Sequence, residues 1–591
     1  MHMEKSRVFE RWAAAVAVVA ITAAALAVLM RWGSARWDVP FDYDGDSLLM
    51  QSLVQTSLEQ PWYLSTPRLG APHEQAMYDY PCADTLDIVL VKLIGLFERR
   101  PAVVFNLFYV LTYPLAALAM LYAARRLALG RIASMAAAVL FAFLPYHALR
   151  GQTHLFLSSY FMIPLMTLLL VEIAMGQLPF FQKGESGHMQ FRIANGHSAR
   201  AAIVAALFGA TNPYYSYFGL LLLPVAGAVD AWTHRRRQGL FSAAMIGLFV
   251  VISVLFNTLP SLLYQYRHGG NPAARQRKTW EAEAYGLKIT HLLLPAPAHQ
   301  SEAVLEFRER IYDPANHQFE NENTTAALGA IAAAGFLGLL GRLLVPRPST
   351  RSTVLAQLNI ATVLLTTIGG FGAFINLVFA QFRCYNRMSV FIGCFALLAV
   401  AGWIDAGLSH LDRRRFTWWL ALAVTASLVA FGIWDGATTR IQPQTQAMIE
   451  RWDSDAEFVH KLEEKLPGDC SIFQLPVVRF PESPVVFDLG YYQSLTGYLH
   501  SRRLRWSYGA VRGRPTAAWQ ADLGRRLEND ESRDDALTEL TQAGFSAVWV
   551  DWSGYSSDQR DALRTKWRRW LGAPVASTPD GRTDCFRLTK Q

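Results

Sequence analysis

Residues 12 to 46 read WAAAVAVVAITAAALAVLM (Trp12–Met30), RWGSARWDVP (Arg31–Pro40) and FDYDGD (Phe41–Asp46). The first stretch carries no charge and is long enough to cross a bilayer, which takes about 20 mostly apolar residues. A lone segment can do so only as a helix, because every unpaired backbone amide in hydrocarbon costs several kcal/mol. Lys5, Arg7 and Arg11 precede it, and no small-residue cleavage site comes before Arg31-Trp32. It therefore reads as a retained first span with a cytoplasmic N-terminus, not as a signal peptide.

Outward from this block the same texture recurs. Of 591 residues, 52% are hydrophobic and 17% charged, against about 25% charged in soluble proteins. Apolar blocks continue to residue 435 and then thin out. Further spans fall at about 101–124, 131–148, 153–175, 239–264, 325–345, 353–379, 388–407 and 416–435. A compact pair at 199–211 and 214–231, split by Asn212-Pro213, reads as two short spans meeting a cavity. Lys or Arg clusters sit where the inner loops fall: Arg125, Arg126 and Arg131; Lys183, Arg192 and Arg200; Arg235–Arg237; Arg347 and Arg351; Arg413–Arg415. The positive-inside rule then gives about eleven spans and places the C-terminus outside, in the periplasm of a bacterial inner membrane. The net charge of +8 is spent on these clusters; no basic stripe or nucleic-acid motif is present. The expected fold is a polytopic α-helical module over 1–435, with outer loops at 32–100 and 265–324, and an extracytoplasmic α/β domain over 436–591. Within the first loop, Thr85–Phe97 is apolar but short and reads as an interfacial helix.

The tail alternates strand-like runs (Ser471–Leu475, Ala547–Val550) with charged, striped helices (Asp455–Lys465, Asp534–Ala543). Cys470 and Cys585, in its first and last strand-like runs, are either a disulfide or two buried thiols. The five cysteines have no metal-ligand spacing.

Ionisable residues beside hydrocarbon are costly and usually functional. On the outer side stand four polar sets: Asp42 to Asp46; Tyr78 to Asp84, including Cys82; Tyr146-His147 through Arg150 to His154; and Arg383 to Arg387. The loop after the seventh span adds Glu283, Tyr285, Lys288, His291 and His299. Two external arginines within five residues ask for an anionic partner. The acidic run lacks the ligand spacing of an EF-hand.

The layout resembles the GT-C superfamily of polyprenyl-phosphate-dependent membrane glycosyltransferases. The resemblance rests on the first span leading into a large acidic outer loop with Gly45-Asp46, and on the second span ending Ala123-Ala124-Arg125-Arg126-Leu127. It covers spans one to about seven. It implies a sugar donor on polyprenyl phosphate, an envelope glycan, lipid or protein as acceptor, an inverting transfer at the outer face, and no nucleic-acid partner; dependence on a divalent cation stays open. Transfer needs a base for the acceptor hydroxyl and positive charge for the departing phosphate. Asp46 is the expected base, with Asp44 the alternative, the two pointing the same way along an extended loop. Asp79 or Asp84 would hold the acceptor. Arg383 and Arg387 would clamp the phosphate, backed by Arg150 and Lys288. His154 and His291 would be further donors, and Tyr214, Tyr215 and Tyr217 would stack on a sugar or line a lipid groove. A lipid-linked glycan flippase and a non-catalytic envelope-assembly protein remain the competing expectations.

Overall fold

The computed structural model describes all residues except 1, 82, 184–188, 193–194, 275–276, 313–320, 346–349, 413–414, 442–443, 529–531 and 589–591, with backbone alone at 2–9, 11, 183 and 189. Cys82, Arg347, Arg413, Arg414 and the side chains of Lys5, Arg7, Arg11 and Lys183 therefore lie outside the described residues.

Apolar length and packing make a helical bundle of the first 436 residues. Seven described helical stretches are long and apolar enough to cross a membrane: Trp12–Leu29, Pro101–Arg126, Arg131–Arg150, Pro213–His234, Gln238–His268, Tyr385–Ser409 and Phe416–Gly436. Ile163–Ala174 and Ala330–Leu343 are apolar but shorter. The helix Phe416–Gly436 exposes Phe416, Trp419, Leu420 and Val424. Such an apolar surface is favourable only against hydrocarbon, so the chain is a multi-pass membrane protein. Inside the bundle, small residues let backbones approach: a Cβ on Gly335 would fall 2.5 Å from the Ala396 carbonyl oxygen.

Three segments depart from the expected spans, each at a backbone breaker. The third is interrupted before Pro145, giving Arg131–Ala142 and Pro145–Arg150. The fourth unwinds between Leu155–Ser158 and Ile163–Ala174, ahead of Pro164. The ninth divides at Gly369-Gly370 into Arg351–Thr366 and Phe371–Val378. The compact pair is also unequal. Gly196–Gly209 is short, but Pro213–His234 runs 22 residues and is a full-length candidate span, because helix continues through Trp232.

Beyond residue 445 a five-stranded sheet forms, in spatial order Arg505–Trp506, Ser471–Leu475, Phe545–Asp551, Thr583–Arg587 and Ala576–Ser577. Its first three strands run parallel and its last two pairings are antiparallel. Side chains alternate faces. Phe473, Val548, Val550 and Phe586 meet Leu523, Leu540 and Trp567 on the helices of one layer. Ile472, Trp506, Ala547 and Trp549 join the core shared with the bundle and the helix Gln446–Lys465. The first loop covers the sheet edge: Ala71 N–H donates to the Trp506 carbonyl and Trp506 N–H to that of Arg68, at 3.0 and 2.8 Å. Covering an edge removes a row of unpaired amides. Cys470 and Cys585 are buried free thiols. The strand Phe545–Asp551 lies between those that carry or follow them, a separation of about 9–10 Å that no disulfide spans.

Candidate active site

The acidic run is a tight turn opening a helix, not an extended loop. Gly45 has φ 51° and ψ −133°, a conformation side chains resist, and Asp46–Glu59 begins directly after it. The turn is held by its first carboxylate. Thr153 Oγ1 donates to Asp42 Oδ2 at 2.7 Å, and the Asp42 N–H to Gln152 Oε1 at 2.9 Å. Ser47 Oγ and Gln51 Nε2 donate to the Asp42 carbonyl at 2.7 and 3.1 Å. Asp44 and Asp46 consequently have different settings. Asp44 Oδ1 accepts from the Gly45 N–H at 2.8 Å and its side chain lines a cavity of about 460 Å³. Asp46 stands beside His154, with Oδ2 to Nε2 at 3.7 Å.

That cavity lies between the end of the first span, the acidic turn, the segment Ala148–Thr153, and Thr439, Arg440, Gln444, Thr445 and Met448. Asp42, Asp44, Gln152, Thr153, Arg440 and Gln444 give it polar walls, while Met30, Phe41 and Met448 give it an apolar end.

On the His154 side lies a cationic cluster. Arg150, 1% exposed, donates to Glu322 Oε2 at 2.6 Å and to Asn386 Oδ1 at 3.0 Å. Arg387 donates to the same carboxylate at 3.0 and 3.1 Å, and its guanidinium lies 4.2 Å over the Tyr214 ring. Asn386 is fixed in turn by bonds from its N–H and Nδ2 to the Tyr285 carbonyl, at 3.2 and 3.0 Å. Two guanidiniums share one carboxylate, leaving a net positive charge. The Nε of both arginines is buried and has no hydrogen-bond partner among the described residues.

Electrostatics separates the acids. Burial, then the charges of Glu322 and Glu482, raises Asp46 to about 6, with Arg387 opposing. Its side chain nonetheless keeps 44% of its surface open, so a substrate can reach it. Burial, then Arg150 and Arg387, lowers His154 to about 3, so its contact with Asp46 is one of neutral imidazole. Burial alone would raise Glu322, but Arg387 and Arg150 hold it well below the usual carboxylate range.

The structure thus gathers Asp44, Asp46, Arg150, His154, Tyr214 and Arg387 at one end of the bundle. Arg383 stands at the margin, 2.8 Å from Glu281 and over the Tyr285 ring. Asp79 is held by Arg514 through two bonds of 2.7 Å and by Asn271 at 3.0 Å, a latch between loops. Asp84 is buried, and burial with the neighbouring Asp87 raises its carboxyl well above the usual range. Tyr215 is 1% exposed and bonded to the Leu157 carbonyl, a core position. His291 packs against Arg308 and Tyr312, and Lys288 lies over the Tyr312 ring. Among the described residues no three His, Cys, Asp or Glu side chains form a group that could hold a metal ion.

Sequence reasoning missed Glu322 and Glu482, and gave no role to Asn386 within the set Arg383 to Arg387. Glu322 stands three residues before the apolar block expected at 325–345, as Arg387 stands directly before that at 388–407, and that shared position was a usable signal. Glu482 comes from the C-terminal unit, held by Arg277 at 2.7 and 3.1 Å and by the Tyr80 hydroxyl at 2.8 Å. Nothing in its local sequence marks it.

Bundle, interrupted helices, acidic first loop and docked α/β unit together make up one fold. Two solved structures share it along nearly the whole chain. The arabinofuranosyltransferase AftD from Mycobacteria aligns over 98% of this chain and 40% of its own, at TM-score 0.51 and 14% identity. ArnT from Cupriavidus metallidurans, in the apo state, aligns over 99% of this chain and 98% of its own, at TM-score 0.50 and 14% identity. This chain thus spans well under half of AftD. No protein-family model and no curated protein matches the sequence.

Proposed function

We propose that the protein is an inverting glycosyltransferase that moves a sugar from polyprenyl phosphate to an acceptor hydroxyl at the outer face of the bacterial inner membrane. The observation that carries this is the apposition of an accessible carboxylate, raised to about 6, with two arginines that share the single carboxylate of Glu322 and so keep a net positive charge. In this reading Asp46 takes the proton of the acceptor hydroxyl. The hydroxyl oxygen attacks the anomeric carbon as the bond to the donor phosphate breaks. Negative charge then grows on the departing polyprenyl phosphate, beside Arg387 and Arg150. One displacement inverts the anomeric configuration. His154, neutral, orients Asp46 or the hydroxyl.

The cavity beside Asp44 suits a polyhydroxylated acceptor, a glycan or glycolipid, since its walls supply both donors and acceptors. The positive-inside pattern supports placing this end, and the unit from 436 to 591, in the periplasm, and eleven crossings fit the same pattern. A flippase would carry buried charge midway through the bundle. The buried pairs lie at helix ends instead: Glu172 with Arg200 at 2.5 Å and Asp230 with Arg236 at 2.9 Å, the Arg150 cluster at the opposite end. The test is release of polyprenyl phosphate from synthetic polyprenyl-phosphate pentoses and hexoses by purified protein supplied with bacterial membrane extracts as the source of acceptor hydroxyls. Release by wild type and loss in Asp46→Asn supports the proposal; equal release by both, or none above a heat-killed control, defeats it.

A further inference from the structure

Between Asp42 and Asp44, Tyr43 points away from the bundle and is 2% exposed. Its surroundings belong to the C-terminal unit. The Tyr43 hydroxyl donates to Asp455 Oδ2 at 3.0 Å and meets His500 Nε2 at 2.9 Å. With the hydroxyl proton given to Asp455, Nε2 of His500 is the donor, which fixes its tautomer. Asp455, itself buried, is ion-paired with Arg582. Trp452 packs edge-on against the Tyr43 ring, with centroids 4.9 Å apart, and also against His500 at 4.2 Å. Three separate pieces of the C-terminal unit converge here: the helix Gln446–Lys465, the end of Thr496–His500, and Arg582 before the strand Thr583–Arg587.

We infer that Tyr43 is a positioning residue through which the C-terminal unit sets the acidic turn in its working geometry. This rests on the function proposed above. Tyr43 touches no reacting atom, but its Cα lies three residues from that of Asp46, across the one glycine that can take φ 51°. Among the described residues the bundle's hydrogen bonds to the turn fall on Asp42 and, just before it, on the Phe41 N–H, which donates to Asn106 Oδ1 at 3.2 Å. Without a second fixed point the segment Asp42–Gly45 could pivot about that anchor and swing Asp46 off His154. The C-terminal unit supplies the second point through a hydroxyl held between a carboxylate and an imidazole, inside a wall of rings. Displacement of the reacting groups by about 1 Å costs on the order of 10²-fold in rate, so a grip of this kind acts on turnover and leaves donor binding at the Arg150–Arg387 cluster alone. Gly490 supports the same placement from the side: a Cβ there would lie 3.5 Å from Asp44 Oδ1.

Tyr43→Phe keeps the ring and removes only the hydroxyl. In the full-length protein, assayed with the synthetic polyprenyl-phosphate sugars, it is expected to lower kcat about 10–100-fold with KM for the donor unchanged within twofold. Amide hydrogen exchange of the same protein provides a readout without substrate: residues 42–48 should exchange at least about tenfold faster while the strand Phe545–Asp551 stays protected. Asp455→Asn, which keeps an acceptor for the hydroxyl, should retain more activity than Asp455→Ala. Wild-type kcat in Tyr43→Phe, or parallel loss of kcat, donor affinity and protection of Phe545–Asp551, overturns the positioning role. If Asp46→Asn is dead while Tyr43→Phe is normal, the transfer reading stands and this one falls. If wild type releases no polyprenyl phosphate, the transfer reading falls, and unchanged exchange at 42–48 then removes the grip as well.

Discussion

At the position of Asp46 two influences oppose each other. It is the first residue of a helix, where the macrodipole favours a negative charge by roughly 0.3–1 kcal/mol. Burial, Glu322 and Glu482 act the other way and win, bringing the carboxyl to about 6. A base is active when deprotonated, so kcat/KM should rise with pH through about 6 and level off above it; a flat profile between pH 5 and 8 would speak against Asp46 as base. Glu482→Gln removes one charge that raises Asp46 and frees Arg277, both acting downward, so this limb should move to lower pH. Arg387→Gln should cut kcat by about 10²–10³-fold, the usual cost of one charge-stabilising donor, and leave Glu322 paired with Arg150. The acids and arginines were legible one by one because charge beside an apolar block is expensive. Which of them meet was not legible, since Arg150, Glu322 and Arg387 come from three loops more than sixty residues apart.

Among the elements, the breaks matter more than the helices. Pro145 and the unwound stretch before Ile163 put the short helix Pro145–Arg150 and the turn after it down among the helix ends, where they supply Arg150, Thr153 and His154 together. Gly45 does the same for the acidic turn. Gly45→Ala should cost roughly 1–2 kcal/mol in the turn, since a side chain at φ 51° is strained; loss of transfer activity with unchanged melting of the bundle would display it. Gly335→Leu should instead lower the melting temperature, because its side chain would enter the Ala396 backbone. Apolar runs and Arg clusters located the helices, but hydropathy averages over such breaks. The single residues that interrupt a span therefore carried more of the site than the spans did.

Across the whole molecule, the C-terminal unit is docked by the covered sheet edge, the Asp79–Arg514 latch and the Tyr43 grip. Arg514→Gln strips the buried Asp79 of its charge partner, and breaking such a pair costs about 3–5 kcal/mol. Thermal unfolding in detergent and release of a fragment beyond residue 445 by limited proteolysis should both become easier. The strands and helices of this unit were readable from alternation and stripes, yet its part in the site was not. Glu482 and Tyr43 act across a chain separation of more than four hundred residues, and no local pattern encodes a pairing of that span. Cysteine labelling of single surface positions in 436–591 from the periplasmic side should be positive.

The most direct measurement is release of polyprenyl phosphate from a synthetic polyprenyl-phosphate sugar by the purified chain in the presence of bacterial membrane acceptors, wild type against Asp46→Asn, across pH 5 to 8. Wild type should release it with an acid limb near 6, and Asp46→Asn should be slower by about 10²–10⁴-fold at every pH. Release by Asp46→Asn at the wild-type rate, with the same pH profile, would contradict the assignment of the site.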